Sequence, residues 1–248
     1  MLCSKRNVKW NTVEKLKDRL MEKENQDQKS IFLMACKIIA FLGILVVNIL
    51  ISGIALEILI SNKITNIVAL LINIGMYASL IFSLIYICRQ QIWVNKEGQP
   101  KWYKLVFNII EFVLLLGVIS LIFNALSSII ISNYHDTNNQ NILNQLLANK
   151  QLKWFMIFQV SFLAPVIEEL IFRGVLVKWF FKNRVKIQWI LSAGTFALMH
   201  EQSAILAFLM YFFMGSILYR ARKKLGLLGS IVIHVLYNSS LLFIFYII

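Results

Sequence analysis

The chain has 248 residues, 59% of them hydrophobic and 15% charged, with 25 Lys and Arg against 12 Asp and Glu for a net charge of +13. A water-soluble domain of this length cannot hide that much apolar surface, so the composition points to the bilayer as solvent. Three cysteines without a CxxC pair or a Cys/His cluster argue against a disulfide framework and a structural zinc knuckle.

Residues 1–30 are charged and polar, with no apolar core and no small-residue cleavage site, so no cleavable signal peptide is read there. They form a cytoplasmic basic amino-terminal segment, within which Trp10 to Lys29 is expected to be a weakly amphipathic helix acting as a solvated anchor. Apolar segments follow near 33–56, 67–88, 105–131, 154–177, 187–200, 204–219 and 226–248. Several exceed the roughly 20 residues that a helix needs to span a hydrocarbon core. They are continuous blocks, such as Ile38 to Ile51, not the alternating ten-residue segments of a transmembrane barrel. The expected fold class is therefore all-α, a polytopic membrane helical bundle of about seven spans. Residues 31–132 hold the amino-terminal transmembrane helices, and 150–248 a second membrane domain. Between them, Ser132 to Asn149 is rich in Asn and Gln and reads as an external connector.

The basic excess is distributed by topology. Of the 25 Lys and Arg, 21 fall in 1–30, at Lys37, and in 89–104, 178–186 and 220–224, whereas Lys63, Lys150 and Lys153 fall on the other side. This asymmetry places the amino terminus in the cytoplasm and survives all seven crossings. The charge is thus a membrane-facing fringe and not a nucleic-acid site. The chain is expected in the cell membrane as a multi-pass protein, with a bacterial plasma membrane favoured by its Ile-, Asn- and Lys-rich composition.

Ionisable groups inside spans cost roughly 2.5–3.5 kcal/mol each on insertion scales, so they pair or serve a function. The fourth segment holds three: Glu168, Glu169 and Arg173, just after Pro165. Adjacent helical residues point about 100° apart, so the two glutamates take different roles. Glu169 and Arg173 stand at i, i+4 in the favourable order and are expected to pair as structural support. Glu168 is left without a local partner, and Pro165 is expected to kink the helix beside it. Phe196 with His200, and His234 with Asn238, repeat the i, i+4 spacing. At about 1.5 Å per residue from the nearest basic cluster, Glu168, His200, His234 and Asn238 all lie roughly 15–21 Å deep and can share one layer. His135 lies in the polar connector and is left out. Glu111, alone in the third segment, reads as an interhelical hydrogen bonder. The fifth and sixth segments are short and join through His200-Glu201-Gln202-Ser203, an irregularity tolerated where a watery cavity is lined.

These three ordered motifs, Glu168-Glu169-x-x-x-Arg173, Phe196-x-x-x-His200 and His234-x-x-x-Asn238, resemble those of the CPBP family of CAAX-protease and bacteriocin-processing (Abi) membrane proteins. Gly215 and the stretch Gly226 to Ser230 also resemble the family pattern, and the likeness covers about residues 150–240, making 150–248 a CPBP-like catalytic membrane domain. The resemblance implies an intramembrane endopeptidase acting on a peptide or membrane-associated protein. It implies that Glu168 and His200 activate water, and that His234 and Asn238 stabilise the oxyanion. No cofactor is then expected. Alternatively Glu168, His200 and His234 supply a two-histidine, one-carboxylate Zn2+ site, although the helical HExxH signature is absent.

The partners implied are the substrate and the lipid bilayer, with no nucleic acid. A leader peptide, bacteriocin precursor or peptide pheromone is the expected substrate, linked to processing or self-immunity. The competing class is a non-catalytic immunity or scaffold protein of the same fold. A proton-coupled transporter is disfavoured by the lack of repeat symmetry.

Overall fold

The computed structural model describes residues 2–60, 66–92, 101–130, 153–180, 184–200 and 205–246. The external connector, His135 within it and the junction 201–204 lie outside these residues. Every regular element among those described is helical: α1 (Leu2–Ile60), α2 (Asn66–Ile92), α3 (Trp102–Ile130), α4 (Lys153–Trp179), α5 (Val185–His200) and α6 (Ile205–Tyr246). Five helical stretches are long and apolar enough to cross a membrane: Gln26–Ile54, Leu71–Gln91, Trp102–Ile130, Lys153–Trp179 and Ile205–Ile244. Together they make this a multi-pass membrane protein. Helix α5 has 16 residues, a rise of about 24 Å, short of the hydrocarbon thickness.

Two compact units divide the chain, Met1–Val47 and Asn48–Ile248. The first is helical from Leu2 onward, so the charged stretch Trp10 to Lys29 is helix, as is the apolar stretch after it. That apolar stretch exposes Ile31, Phe32, Leu33, Ile39 and Leu42.

The second unit reverses the usual distribution of a soluble core. Large apolar side chains such as Phe82, Tyr86, Leu121 and Ile129 face outward, while Glu169, Arg173, Ser192, Ser230 and His234 are buried. This is the arrangement expected where the surroundings are hydrocarbon and polar groups must find partners within the protein.

Helix α6 comprises two limbs, which sequence alone separates at residues 219 and 226. In the structure the helix continues through the basic stretch 220–224 and breaks only at Gly226, with φ 80° and ψ 177°. That backbone region is open essentially to glycine alone. The chain turns back here. In the first limb, Tyr211 packs on His200, which faces Glu168, whereas Tyr219 meets Gln188, which in turn bonds the Val177 and Phe180 carbonyls. The second limb runs the other way along α4: Leu227 lies beside Gly174, His234 beside Glu169, and Asn238 beside Val160. Glu111 on α3 meets Lys224 next to this turn at 3.2 Å, with both side chains about half exposed. It is an interhelical tie, and a pair so exposed contributes little stability.

Candidate active site

Two π-helical segments, Gln159–Leu163 and Leu170–Val175, flank a short α-helical stretch, Ala164–Glu169, at the centre of α4. Around Pro165 the helix thus takes up extra residues on both sides. Its chemistry is local. Ala164 donates its N–H to the Gln159 carbonyl, five residues back, and Pro165 has no N–H to give. The Val160 carbonyl is left for a side-chain donor, and Asn238 Nδ2 donates to it at 3.1 Å. One effect of Pro165 is therefore to create the acceptor that holds Asn238. π-Segments of this kind recur at functional sites because they re-aim the side chains beside them.

Glu169 and Arg173 pair at 3.0 Å, both fully buried. The guanidinium also donates through Nη2 to the Gly215 carbonyl at 3.0 Å and lies 4.5 Å over the Phe196 ring. Gly215 is where α5 and α6 approach closely, since a Cβ there would come within 3.0 Å of the Ala193 Cα. Phe196 thus serves as an apolar floor under the arginine, and its ring also contacts His200 at 4.1 Å and His234 at 5.8 Å between centroids.

Glu169 has a second partner that the sequence does not reveal. His234 Nδ1 lies 3.1 Å from Glu169 Oε1, and a carboxylate oxygen accepts, so the hydrogen resides on Nδ1. On the other histidine, His200 Nδ1 lies 2.7 Å from the Phe196 carbonyl, which can only accept, so this ring also carries its hydrogen on Nδ1. Both rings therefore turn Nε2 toward the same place. His200 Nε2 lies 3.6 Å and His234 Nε2 3.8 Å from Glu168 Oε2. Glu168 and His200 keep about a fifth of their side-chain surface exposed (21% and 19%), against 3% for His234. The accessible end of the site is thus the Glu168–His200 edge.

The structure brings together Glu168, His200 and His234, with Glu169, Arg173 and Phe196 behind them. Asn238 sits one turn beyond His234 on the same limb, tied to Val160. Tyr211 was not singled out by the sequence reading, yet its ring lies 4.6 Å from that of His200 and 6.5 Å from that of Phe196. A tyrosine within an apolar helix is the one signal that could have drawn attention to it.

The donor types for zinc are present in Glu168, His200 and His234. As the side chains stand, however, no three His, Cys, Asp or Glu groups among the described residues form a cluster able to hold a metal ion.

Residues 150–240 match the model of the Rce1-like family, described as type II CAAX prenyl endopeptidase Rce1-like. Searches of curated proteins and of solved structures gave no match. The matched stretch runs from just before α4 through Asn238 and so contains the whole of the constellation described above. Over these residues the chain is similar to the Rce1-like family, a type II CAAX prenyl endopeptidase family within the CPBP proteins.

Proposed function

We propose that the protein is an intramembrane endopeptidase whose nucleophile is a water molecule activated between Glu168 and His200. The observation that carries this reading is the convergence of two imidazole Nε2 atoms on Glu168 Oε2, at 3.6 and 3.8 Å. These separations exceed a direct hydrogen bond and suit a small polar molecule shared between the groups.

In this mechanism Glu168 takes a proton from water, which His200 Nε2 orients, and the hydroxide oxygen attacks the carbonyl carbon of the scissile peptide. The developing oxyanion accepts from His234 Nε2–H and from the Asn238 amide. To donate there His234 must carry both ring hydrogens, and Glu169 at Nδ1 is the counter-charge for that ring. Collapse of the tetrahedral intermediate breaks the C–N bond, and Glu168 passes its proton to the leaving amine.

The topology that goes with this reading has seven passes. The two limbs of α6 count separately because the chain turns at Gly226, and α5 supplies a short pass. An intracellular amino terminus puts 21 of the 25 Lys and Arg in the cytoplasm. The substrate is a peptide or the tail of a membrane-associated protein. Processing of a bacteriocin precursor, leader peptide or pheromone, with an associated self-immunity role, belongs to this proposal.

The test compares peptide termini in cells lacking the protein after restoring the native chain or Glu168→Gln at equal membrane abundance. Cleavage products confined to the native chain are expected. Identical products, with any immunity phenotype restored equally by both forms, would favour a non-catalytic immunity or scaffold protein.

A further inference from the structure

The π-segment Leu170–Val175 lies immediately after the two glutamates, and its carbonyls are bonded from three neighbouring helices. Leu176 donates its N–H to the Ile171 carbonyl, five residues back, so the α-helical pairing is displaced along this stretch. Side chains serve the carbonyls around it. Ser192 on α5 donates to Phe172 O at 3.1 Å, Arg222 Nε on α6 to Arg173 O at 2.7 Å, and Gln91 Nε2 on α2 to Gly174 O at 3.3 Å. Arg222 and Gln91 are themselves joined, Arg222 Nη2 donating to Gln91 Oε1 at 2.7 Å. Two consecutive carbonyls of α4 are thus gripped by one bonded pair of side chains from two other helices. Gly174 allows this approach: a Cβ there would come within 2.5 Å of Cys88 Sγ on α2.

The register of this segment decides where the glutamates point. A π-turn holds one residue more than an α-turn, and losing it rotates everything before it by about 100°, the angle of one residue. Such a rotation would turn Glu169 away from His234, while the i, i+4 spacing would still let it meet Arg173.

We propose that Arg222 and Gln91 are positioning residues for the endopeptidase site, clamping the carbonyls of Arg173 and Gly174 so that the π-register of α4 aims Glu169 at His234 and Glu168 at both Nε2 atoms. The clamp rests on the catalytic reading for its purpose, but its geometry can be tested without a substrate. Arg222 uses two donors on one rigid plane, Nε for the carbonyl and Nη2 for Gln91. A lysine keeps the charge but cannot reproduce that fork.

The experiment is 15N-histidine NMR of the purified full chain in micelles, where only three histidines contribute signals. The His234 Nδ1–H bonded to Glu169 supplies the signature, identified by its absence in His234→Gln. Arg222→Lys is expected to abolish or strongly shift that signal while helicity by circular dichroism stays native. If Arg222→Lys does not fold, Gln91→Glu decides: its carboxylate keeps the Arg222 partner but cannot donate to Gly174 O, and the same shift is expected. A native His234 signal in folded Arg222→Lys, or in Gln91→Glu, overturns the clamp. Failure of the native chain to cleave any peptide in cells overturns the endopeptidase reading instead, and the NMR comparison still decides the clamp.

Discussion

His234 and Glu169 are joined by a hydrogen bond of 3.1 Å through Nδ1, and this bond fixes Nε2 as the ring nitrogen facing Glu168. The two adjacent glutamates therefore take up opposite sides of one imidazole. Glu169 is also the buried partner of Arg173, so a single carboxylate ties the structural ion pair to the ring proposed to bind the oxyanion.

Glu169→Gln should weaken both duties. The amide keeps the shape and can still accept from Arg173, but it removes the counter-charge for His234 and leaves the buried guanidinium without its charge partner. Weakening an oxyanion donor in this way should cost up to about 100- to 1,000-fold in rate, the loss seen when such a donor is removed. The expected result is that loss in kcat on the peptide identified from cellular termini, with KM little changed. Arg173→Ala should instead act on folding, because it leaves a buried carboxylate without its charge partner, at about 3–5 kcal/mol in comparable sites. Turnover per folded molecule, set against membrane abundance and thermal stability in detergent, distinguishes the two.

Asn238 has two N–H groups, and one is committed to Val160 O at 3.1 Å. Asn238→Asp removes the amide donors and adds a charge, whereas Asn238→Ala removes the donors alone. Loss of an oxyanion donor is expected to lower kcat about 100- to 1,000-fold, and loss of the tether to Val160 to cost about 1 kcal/mol of stability. Rates and melting temperatures measured on both variants check the two effects. Full activity in Asn238→Ala would remove this residue from the oxyanion site.

Gly226 occupies φ 80°, ψ 177° at the turn between the limbs of α6. Gly226→Ala should cost about 1–3 kcal/mol through backbone strain, lowering abundance and the melting temperature. His234 and Asn238 follow on the second limb, so the surviving folded fraction should retain its turnover per molecule if the limb docks natively. Quantitative immunoblotting combined with initial rates tests this.

The metal-free mechanism proposed above predicts that a metal chelator strong enough to strip zinc leaves the rate of peptide cleavage unchanged. Loss of activity that is restored by added Zn2+ would move the mechanism to the metal form. The measurement is a rate with and without chelator, after dialysis and metal add-back.

Residence in the bilayer and a helical backbone are legible in the amino-acid pattern, because long apolar blocks in lipid leave few other ways to satisfy the backbone. The same pattern also picked out Glu168, Glu169, Arg173, Phe196, His200, His234 and Asn238, since ionisable and amide groups are conspicuous against apolar surroundings. The Glu169–Arg173 pair was legible because i, i+4 spacing is a local property of one helix. Packing between helices is what reveals that Glu169 also holds His234, 65 residues away in the chain, and that Val160 O receives Asn238. It alone placed the π-segments that set the directions of both glutamates, and the grip of Arg222 and Gln91 on the second of them. A helix's register changes when its carbonyls accept from side chains on other helices. Those donors lie far away in sequence, and no periodicity within α4 announces them.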